Sequence, residues 1–364
     1  MQIFVNRAKE IGIDALAITD AKPFNKEKAV LEQVLQAGLY PQFVETDLAL
    51  RTDPKRLLPS VQSIISVAIA YKSVDPHISQ GKGLLSRYAW GHDYHSLLYP
   101  RLETLAQWMV KEFGVKEYVV AVDTKPPIER AIALRSGLGW LGQNCAIFVP
   151  PYGSWVFLGE LLVDIPLPFT TQQPLKPNCS EKCGRCVRAC PTNALFAPYQ
   201  INPHSCISYL TQMKGIIPRE MRAKIGAKLW GCDTCQQVCP TNQKALPSQH
   251  QEFYPLDGTA IPLIPLLSIS KKEFHQRFGH TALAWRGHGI LQRNAAIILG
   301  NLRYTEAIPA LGDALQDPKP FLRASVAWAL GEMHTASARN LLHNAQHKET
   351  NAIVLEEIEL ALSH

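Results

Sequence analysis

The sequence predicts three successive parts: an α/β (α+β) N-terminal region, a short cysteine-rich region, and a C-terminal region of α-helical repeats. Three observations carry this expectation. Strand-like apolar runs alternate with helical spacing up to about residue 165, eight of the nine cysteines fall between 179 and 239, and two similar helical segments recur 31 residues apart near the C-terminus. With 364 residues, 46% hydrophobic and 19% charged, the chain is too long for one ordinary core and too apolar for disorder.

The N-terminal elements follow from pattern. Phe4, Ala8 and Ile11 mark an amphipathic first helix, and Ala15–Ile18 a short apolar strand. Ser63–Ala70 is rich in β-branched residues, while Leu98, Leu102, Leu105 and Met109 give helical spacing to Leu97–Phe113. Tyr118–Val122 reads as a buried strand ending at Asp123, and Glu129–Arg135 as a helix behind Pro126 and Pro127. Pro166, Pro168, Pro174 and Pro177 close this region, and Pro247, Pro255, Pro262 and Pro265 mark a second boundary. The expected division is therefore 1–175, 176–250 and 251–364. In the last part, Leu291–Leu302 matches Leu322–Met333; each copy carries Ala and Leu on one face and Gly near its end, as a C-cap would. An α-solenoid of the HEAT type is expected.

No stretch approaches the length of a spanning helix, and the first ten residues lack a basic segment followed by an apolar one. A cytoplasmic protein without membrane contact is expected, and there clustered cysteines bind metal or do chemistry instead of forming disulfides. The spacing is specific. Cys179-x3-Cys183-x2-Cys186-x3-Cys190-Pro191 is one run, Cys232-x2-Cys235-x3-Cys239-Pro240 a second, and Cys206 lies between them. The bacterial ferredoxin run is C-x2-C-x2-C-x3-C-P, its fourth thiolate serving the other cluster. By that rule Cys179, Cys183, Cys186 and Cys239 hold one [4Fe-4S] cluster, and Cys190, Cys206, Cys232 and Cys235 the other. Two zinc sites would use the CxxC pairs but give no reason for two x3-Cys-Pro endings. Each oxidised cubane carries roughly −2. The formal net charge of +6 is thereby mostly offset, so any basic surface must be local.

Several blocks, in order, carry a family resemblance: Ser86–His95, Val122–Arg130, Gly137–Asn144, Gly153–Leu161, both cysteine runs, Cys206–Leu210 and Gly231–Gln236. Together they resemble the epoxyqueuosine reductases, relatives of the corrinoid reductive dehalogenases. The resemblance implies reduction of epoxyqueuosine to queuosine at the tRNA wobble position, electrons passing through two [4Fe-4S] clusters to cobalamin (cob(II)alamin). It also implies that the N-terminal domain binds cobalamin and that the middle domain is ferredoxin-like. It carries Asp123 over as both proton donor and cobalamin neighbour, and Ser208 and Tyr209 as further cobalamin contacts. Loss of the epoxide oxygen as water needs an acid to protonate it. A carboxyl at a buried strand end, facing an apolar corrin, would have a raised pKa. Alone, Asp123 also reads as a cap on the next helix or loop. A tRNA carrying epoxyqueuosine and an external low-potential electron donor are the expected partners, with the chain a monomer. A corrinoid-dependent reductase of a small molecule is the alternative, and an electron carrier with a docking scaffold a third reading.

The sequence also departs from the family and offers decoys. Gln143 stands where the family commonly has Lys, so one positive charge is missing. An Arg expected ahead of Arg51 is not evident between Tyr40 and Thr46. Gly137-x-Gly139-x-x-Gly142 imitates a dinucleotide fingerprint but follows a helix and precedes a strand. Asp75-Pro-His77 approaches a corrinoid signature, with Gly81 one residue too far. His92 and His95 have metal-ligand spacing but read better as surface or substrate contacts. Cys145 reads as a small buried hydrophobe, and Trp90, Trp140 and Trp155 as core. Lys271, Lys272, Arg277, Arg286, Arg293, Arg303 and Arg323 suit a solvated face or a phosphate-tracking one.

Overall fold

The structure is a computed structural model and describes residues 1–77, 79–123, 126–171 and 175–363. Pro174, in the expected proline-rich break, and Thr124 and Lys125, in the block after Asp123, lie outside the described residues. Helix α1 (Gln2–Glu10) leads into strand β1 (Ala15–Asp20), followed by α2 (Asn25–Gln36), α3 (Leu48–Thr52) and β2 (Ser63–Ala70). Next come β3 (Lys82–Leu85), α4 (His95–Phe113), β4 (Tyr118–Val122), α5 (Glu129–Ser136), β5 (Trp140–Leu141), β6 (Ile147–Phe148) and β7 (Val156–Val163). The cysteine-bearing stretch holds α6 (Arg185–Ala189), β8 (Leu195–Ala197), β9 (Gln200–Ile201), α7 (Ile207–Leu210), α8 (Arg219–Ile225) and β10 (Lys228–Trp230). Then follow α9 (Thr234–Gln237), α10 (Pro240–Gln243) and β11 (Ala260–Pro262). The remainder is helical: α11 (Ile264–Leu267), α12 (Lys271–Phe278), α13 (His288–Asn301), α14 (Ile308–Ala314), α15 (Pro320–Glu332), α16 (Ala336–Gln346) and α17 (Ala352–Leu362). No described helix is long and apolar enough to cross a membrane.

The chain divides into two compact units, each of three segments: Met1–Ser73, Asp93–His204 and Thr234–Tyr254 in one, Val74–His92, Ser205–Asp233 and Pro255–His364 in the other. This partition interleaves the linear boundaries read from composition, because short insertions such as β3 pair with partners far along the chain.

In the first unit, β1, β2, β7 and β4 form one sheet in that order, and every pairing is antiparallel. The N-terminal region is therefore α+β. Strand β2 is buried along its whole length, as a central strand covered on both faces must be. Alternation along β7 assigns its faces. A Cβ at Gly159 would lie 2.8 Å from a Leu102 methyl, so α4 packs there without space for a side chain. Leu158 packs with Ala133 of α5, and Leu162 with Ile132, so the opposite face carries α5. The Gly137–Gly142 stretch caps α5 through Gly137 in the left-handed region and enters β5, helix before strand. Trp140 and Trp155 are buried. Cys145, expected buried, is half-buried with φ of 64° in a tight turn.

In the second unit, β10 pairs in parallel and β11 antiparallel with β3. One apolar core runs from Leu85 and Trp90 through Leu229 into α13, α15 and α17. The expected repeat is present, but its glycines are not C-caps. Gly300 and Gly331 lie inside α13 and α15. A Cβ at Gly300 would sit 2.8 Å from Ala329 Cα, and one at Gly331 2.7 Å from Ala361 Cβ. Each Gly is the point where the next repeat's helix crosses in close approach. Two buried arginines here are paired: Arg222 Nη2 lies 2.6 Å from Glu357 Oε1, and Arg293 donates to the carbonyls of Leu210, Met213 and Gly215. Arg293 is therefore a structural residue, not a phosphate contact.

Candidate functional site

Strand β4 makes its last pairing at Val122 with Gly159, and the chain leaves the sheet at Asp123. The Asp123 side chain is 49% exposed, so a ligand can reach it. It is not a lone acid. The Tyr94 hydroxyl donates to Oδ2, and His95 Nε2 lies 3.3 Å from Oδ1. The other nitrogen of His95, Nδ1, lies 2.7 Å from Asp93 Oδ1. Tyr94 is fixed in turn by ring stacking on Phe157 of β7, with centroids 4.2 Å apart. The start of α4 and the end of β4 thus hold one carboxyl at the sheet's open edge.

His95 is the charged centre of this group. Burial pulls its imidazolium down, but the hydrogen bonds and charges of Asp123 and Asp93 outweigh that, and its pKa is raised to about 9. At neutral pH the ring is charged, and both of its nitrogens carry a proton to donate, Nδ1 toward Asp93 and Nε2 toward Asp123. His95 is accordingly an ion-paired element of the Asp123 site, which its spacing from His92 did not suggest. His92 belongs to the other unit and lies against His280, ring centroids 5.4 Å apart. Asp75 is likewise engaged, 2.8 Å from Arg87 Nη2.

The thiols of the first unit gather on a loop and two short helices. Cys179 lies within electrostatic reach of Cys239 and Cys183, and Cys186 of Cys179 and Cys239; burial raises the pKa of both Cys179 and Cys186. Burial also opposes ionisation of Cys190, but N–H groups of Leu195, Thr192 and Ala194 point at its sulfur and hold its pKa below the usual thiol value. Among the described residues, no three His, Cys, Asp or Glu side chains are gathered for a single metal ion. A cubane instead takes each thiolate on a different iron, and N–H groups aimed at sulfur suit it. The donor set fits. Cys190 and Cys235 belong to the first unit, Cys206 and Cys232 to the second.

Gln143 has a structural task that the missing positive charge concealed. Its side chain donates to the Ser180 carbonyl at 3.0 Å and accepts from the Gly184 N–H at 3.1 Å. Its carbonyl accepts from the Tyr199 N–H at 2.9 Å, and its own N–H points at Cys179. A neutral amide that both donates and accepts can bridge these groups; a lysine cannot accept.

Ser208 and Tyr209 lie on α7 in the second unit. Ser208 is partly exposed, whereas Tyr209 is 6% exposed. Of the basic residues singled out, Arg277 pairs with Asp257 and Arg323 with Glu349, while Lys271, Lys272 and Arg303 are exposed. Sequence reasoning missed Tyr94, the pairing of His95, and the linking role of Gln143. All three lie in the quoted blocks, but only the fold brings Tyr94 and His95 beside Asp123.

Residues 51–124 match the family model described as epoxyqueuosine reductase QueG, DUF1730, and 178–242 match a 4Fe-4S double cluster binding domain. Residues 282–363 match HEAT repeats. The epoxyqueuosine reductase of Staphylococcus aureus is 40% identical over 363 residues, covering 98% of this chain and 94% of the relative. That of Bacillus subtilis is 38% identical over 364 residues, covering 98% and 93%. A crystal structure of epoxyqueuosine reductase with an epoxyqueuosine-modified tRNA-Tyr stem loop superimposes with a TM-score of 0.95 at 37% identity, covering 100% of this chain and 97% of that one. The Bacillus subtilis structure with its catalytic loop swung out of the active site gives 0.94 at 36% identity, covering 100% and 98%. By sequence along its whole length, and by fold, the chain belongs to the epoxyqueuosine reductase family.

Proposed function

We propose that this protein reduces epoxyqueuosine to queuosine at the wobble position of tRNA, drawing electrons from an external low-potential donor. The reaction consumes two electrons and two protons and releases the epoxide oxygen as water. The observation that carries this reading is the Asp123 carboxyl, held by Tyr94 and His95 at an open strand end, in a chain that matches the family from end to end. Asp123 is the proton donor to the departing oxygen. His95 and Tyr94 fix its orientation, so the acid meets the oxygen without a search for geometry.

We assign Cys179, Cys183, Cys186 and Cys239 to one [4Fe-4S] cluster and Cys190, Cys206, Cys232 and Cys235 to the other. Asp123 and Ser208 expose polar groups suited to a large cofactor, and we assign them with Tyr209 to cobalamin, which when bound supplies reducing chemistry at cobalt. In this division 1–175 binds cobalamin, 176–250 carries the clusters, and 251–364 follows the tRNA backbone through Lys271, Lys272 and Arg303. The protein works as a monomer in the cytoplasm, where its RNA substrate is.

The test is single-turnover conversion of an epoxyqueuosine-bearing stem loop by the anaerobically loaded chain under a strong chemical reductant, read as loss of one oxygen by mass. Fully loaded protein that leaves the nucleoside unchanged would sink the proposal.

A further inference from the structure

Between α5 and the sheet of the first unit lies a carboxyl that the reaction, as written so far, does not use. Glu160 sits in the middle of β7 at 1% exposure, paired in register with Ser66 on β2 and Ala121 on β4. Two residues away on either side, Leu158 and Leu162 fill the same face. An apolar residue would suit the place of Glu160, because burying a carboxyl without a partner is unfavourable. Yet Glu160 Oε1 and the Ser66 hydroxyl, neighbours on that face, are both buried and meet no hydrogen-bond partner among the described residues. Two orphaned polar atoms side by side in a core mark a function rather than a packing solution.

The surroundings indicate which function. Asp123 follows Ala121 by two residues, so it leaves β4 toward the face that carries Glu160. Helix α5 covers that face, and Glu129 stands in its first turn. Glu160 feels the charges of Glu129 and Asp123, while Glu129 faces Asp123, Arg130, Arg51 and His95. Burial, reinforced by the like charge of Asp123, pushes the Glu129 carboxyl up to about 7. Burial, with Glu129 and Asp123 adding to it, raises Glu160 well above the usual carboxylate range. Near neutrality the pair therefore holds at least one proton beside the acid that must donate.

We propose that Glu160 and Glu129 are positioning residues that store a proton and return it to Asp123 during turnover. This rests on the reading of the chain as an epoxyqueuosine reductase. Both C–O bonds of the epoxide break, a C=C bond forms, two electrons arrive from the external low-potential donor, and the oxygen leaves with two protons as water. A single carboxyl gives one proton and must regain another before it can give the second. Glu129 re-protonates Asp123, Glu160 re-protonates Glu129, and solvent restores the pair after the product has left. The second proton thus comes from the pair and not from a solvent molecule arriving between the two transfers.

The experiment uses the full chain, loaded with clusters and cobalamin, in single turnover of the epoxyqueuosine stem loop under a strong reductant. Rates are compared for wild type, Glu160→Gln and Glu160→Asp from about pH 6 to about pH 9. Gln keeps shape and polarity but stores no proton, so its rate should fall by about tenfold near pH 8, with the deficit shrinking as pH falls. Asp should recover part of the wild-type profile. A Glu160→Gln profile parallel to wild type across the range would overturn the proposal. Infrared spectroscopy of the loaded wild type gives a second readout that needs no variant to fold. A protonated-carboxyl band persisting near pH 8 supports the store, and its absence refutes it. If wild type does not convert the substrate while that band is present, the failure lies with the assigned reaction and not with the stored proton.

Discussion

Asp123→Asn separates the acid from its surroundings with the least change of shape. Asn still accepts the Tyr94 hydroxyl bond but has no carboxylic proton, and loss of a positioned general acid costs about 10²- to 10⁴-fold in rate. At about 1.4 kcal/mol per decade, that is roughly 3 to 5.5 kcal/mol of transition-state stabilisation. The same substitution removes one of two carboxylates around His95. The Asp93 contact at 2.7 Å remains while the 3.3 Å contact to Asp123 loses its charge. His95, raised to about 9 in the wild type, should therefore fall yet stay above its ordinary value, because the Asp93 contact remains. The sign follows from linkage. Because folding raises the His95 pKa, its contribution to stability is complete below about 6.5 and is lost as pH rises through about 9. In Asp123→Asn the upper edge of that window should move down. The assay pairs single-turnover conversion with a titration of the His95 ring by NMR of labelled histidine, assigned with His95→Gln. A loaded Asp123→Asn protein that reacts at the wild-type rate would mean that the proton comes from elsewhere. An unmoved His95 titration would mean that the Asp123 contact does not hold in solution.

Further outcomes follow from the same structure. Cys186→Ala should lose about one cluster's iron by anaerobic iron and sulfide analysis, whereas Cys145→Ala should leave it unchanged, since Cys145 lies in the turn between β5 and β6. Gln143→Ala removes the bridge between the Ser180 carbonyl and the Gly184 N–H, so its iron should be lost to a chelator faster than wild type's. Glu357→Ala leaves Arg222, whose side chain is 1% exposed, without its carboxylate. Breaking a buried pair costs about 3 to 5 kcal/mol, to be read in denaturant melts. Reversing Lys271 and Lys272 to Glu should weaken stem-loop binding and flatten its salt dependence by roughly two contacts. Deleting everything after about residue 285 is a poor substitute for that test, because α13 lies in the core of its unit.

The cysteine spacing and the family blocks, by themselves, determined the chemistry to look for, since the short intervals within each cysteine run are constrained even though each cluster draws a thiolate from outside its own run. Periodicity determined β2, β4 and α4 for the same reason: apolar alternation is written residue by residue, and Ser63–Ala70 and Tyr118–Val122 match the observed strands. What needed tertiary structure was everything that depends on long-range placement. The sheet is antiparallel throughout because β7 inserts between β2 and β4, an order that no local pattern encodes. Gly300 and Gly331 read as helix ends until the next helix is seen crossing them. Arg293 reads as a surface charge until Leu210, Met213 and Gly215 turn their carbonyls toward it. Above all, Asp123 could be chosen from sequence, but its setting could not. Tyr94 and His95 come from the start of another element, and Glu160 from a third strand. A side chain's charge state is set by what folding packs against it, and that information lies in the contacts rather than in the order of residues.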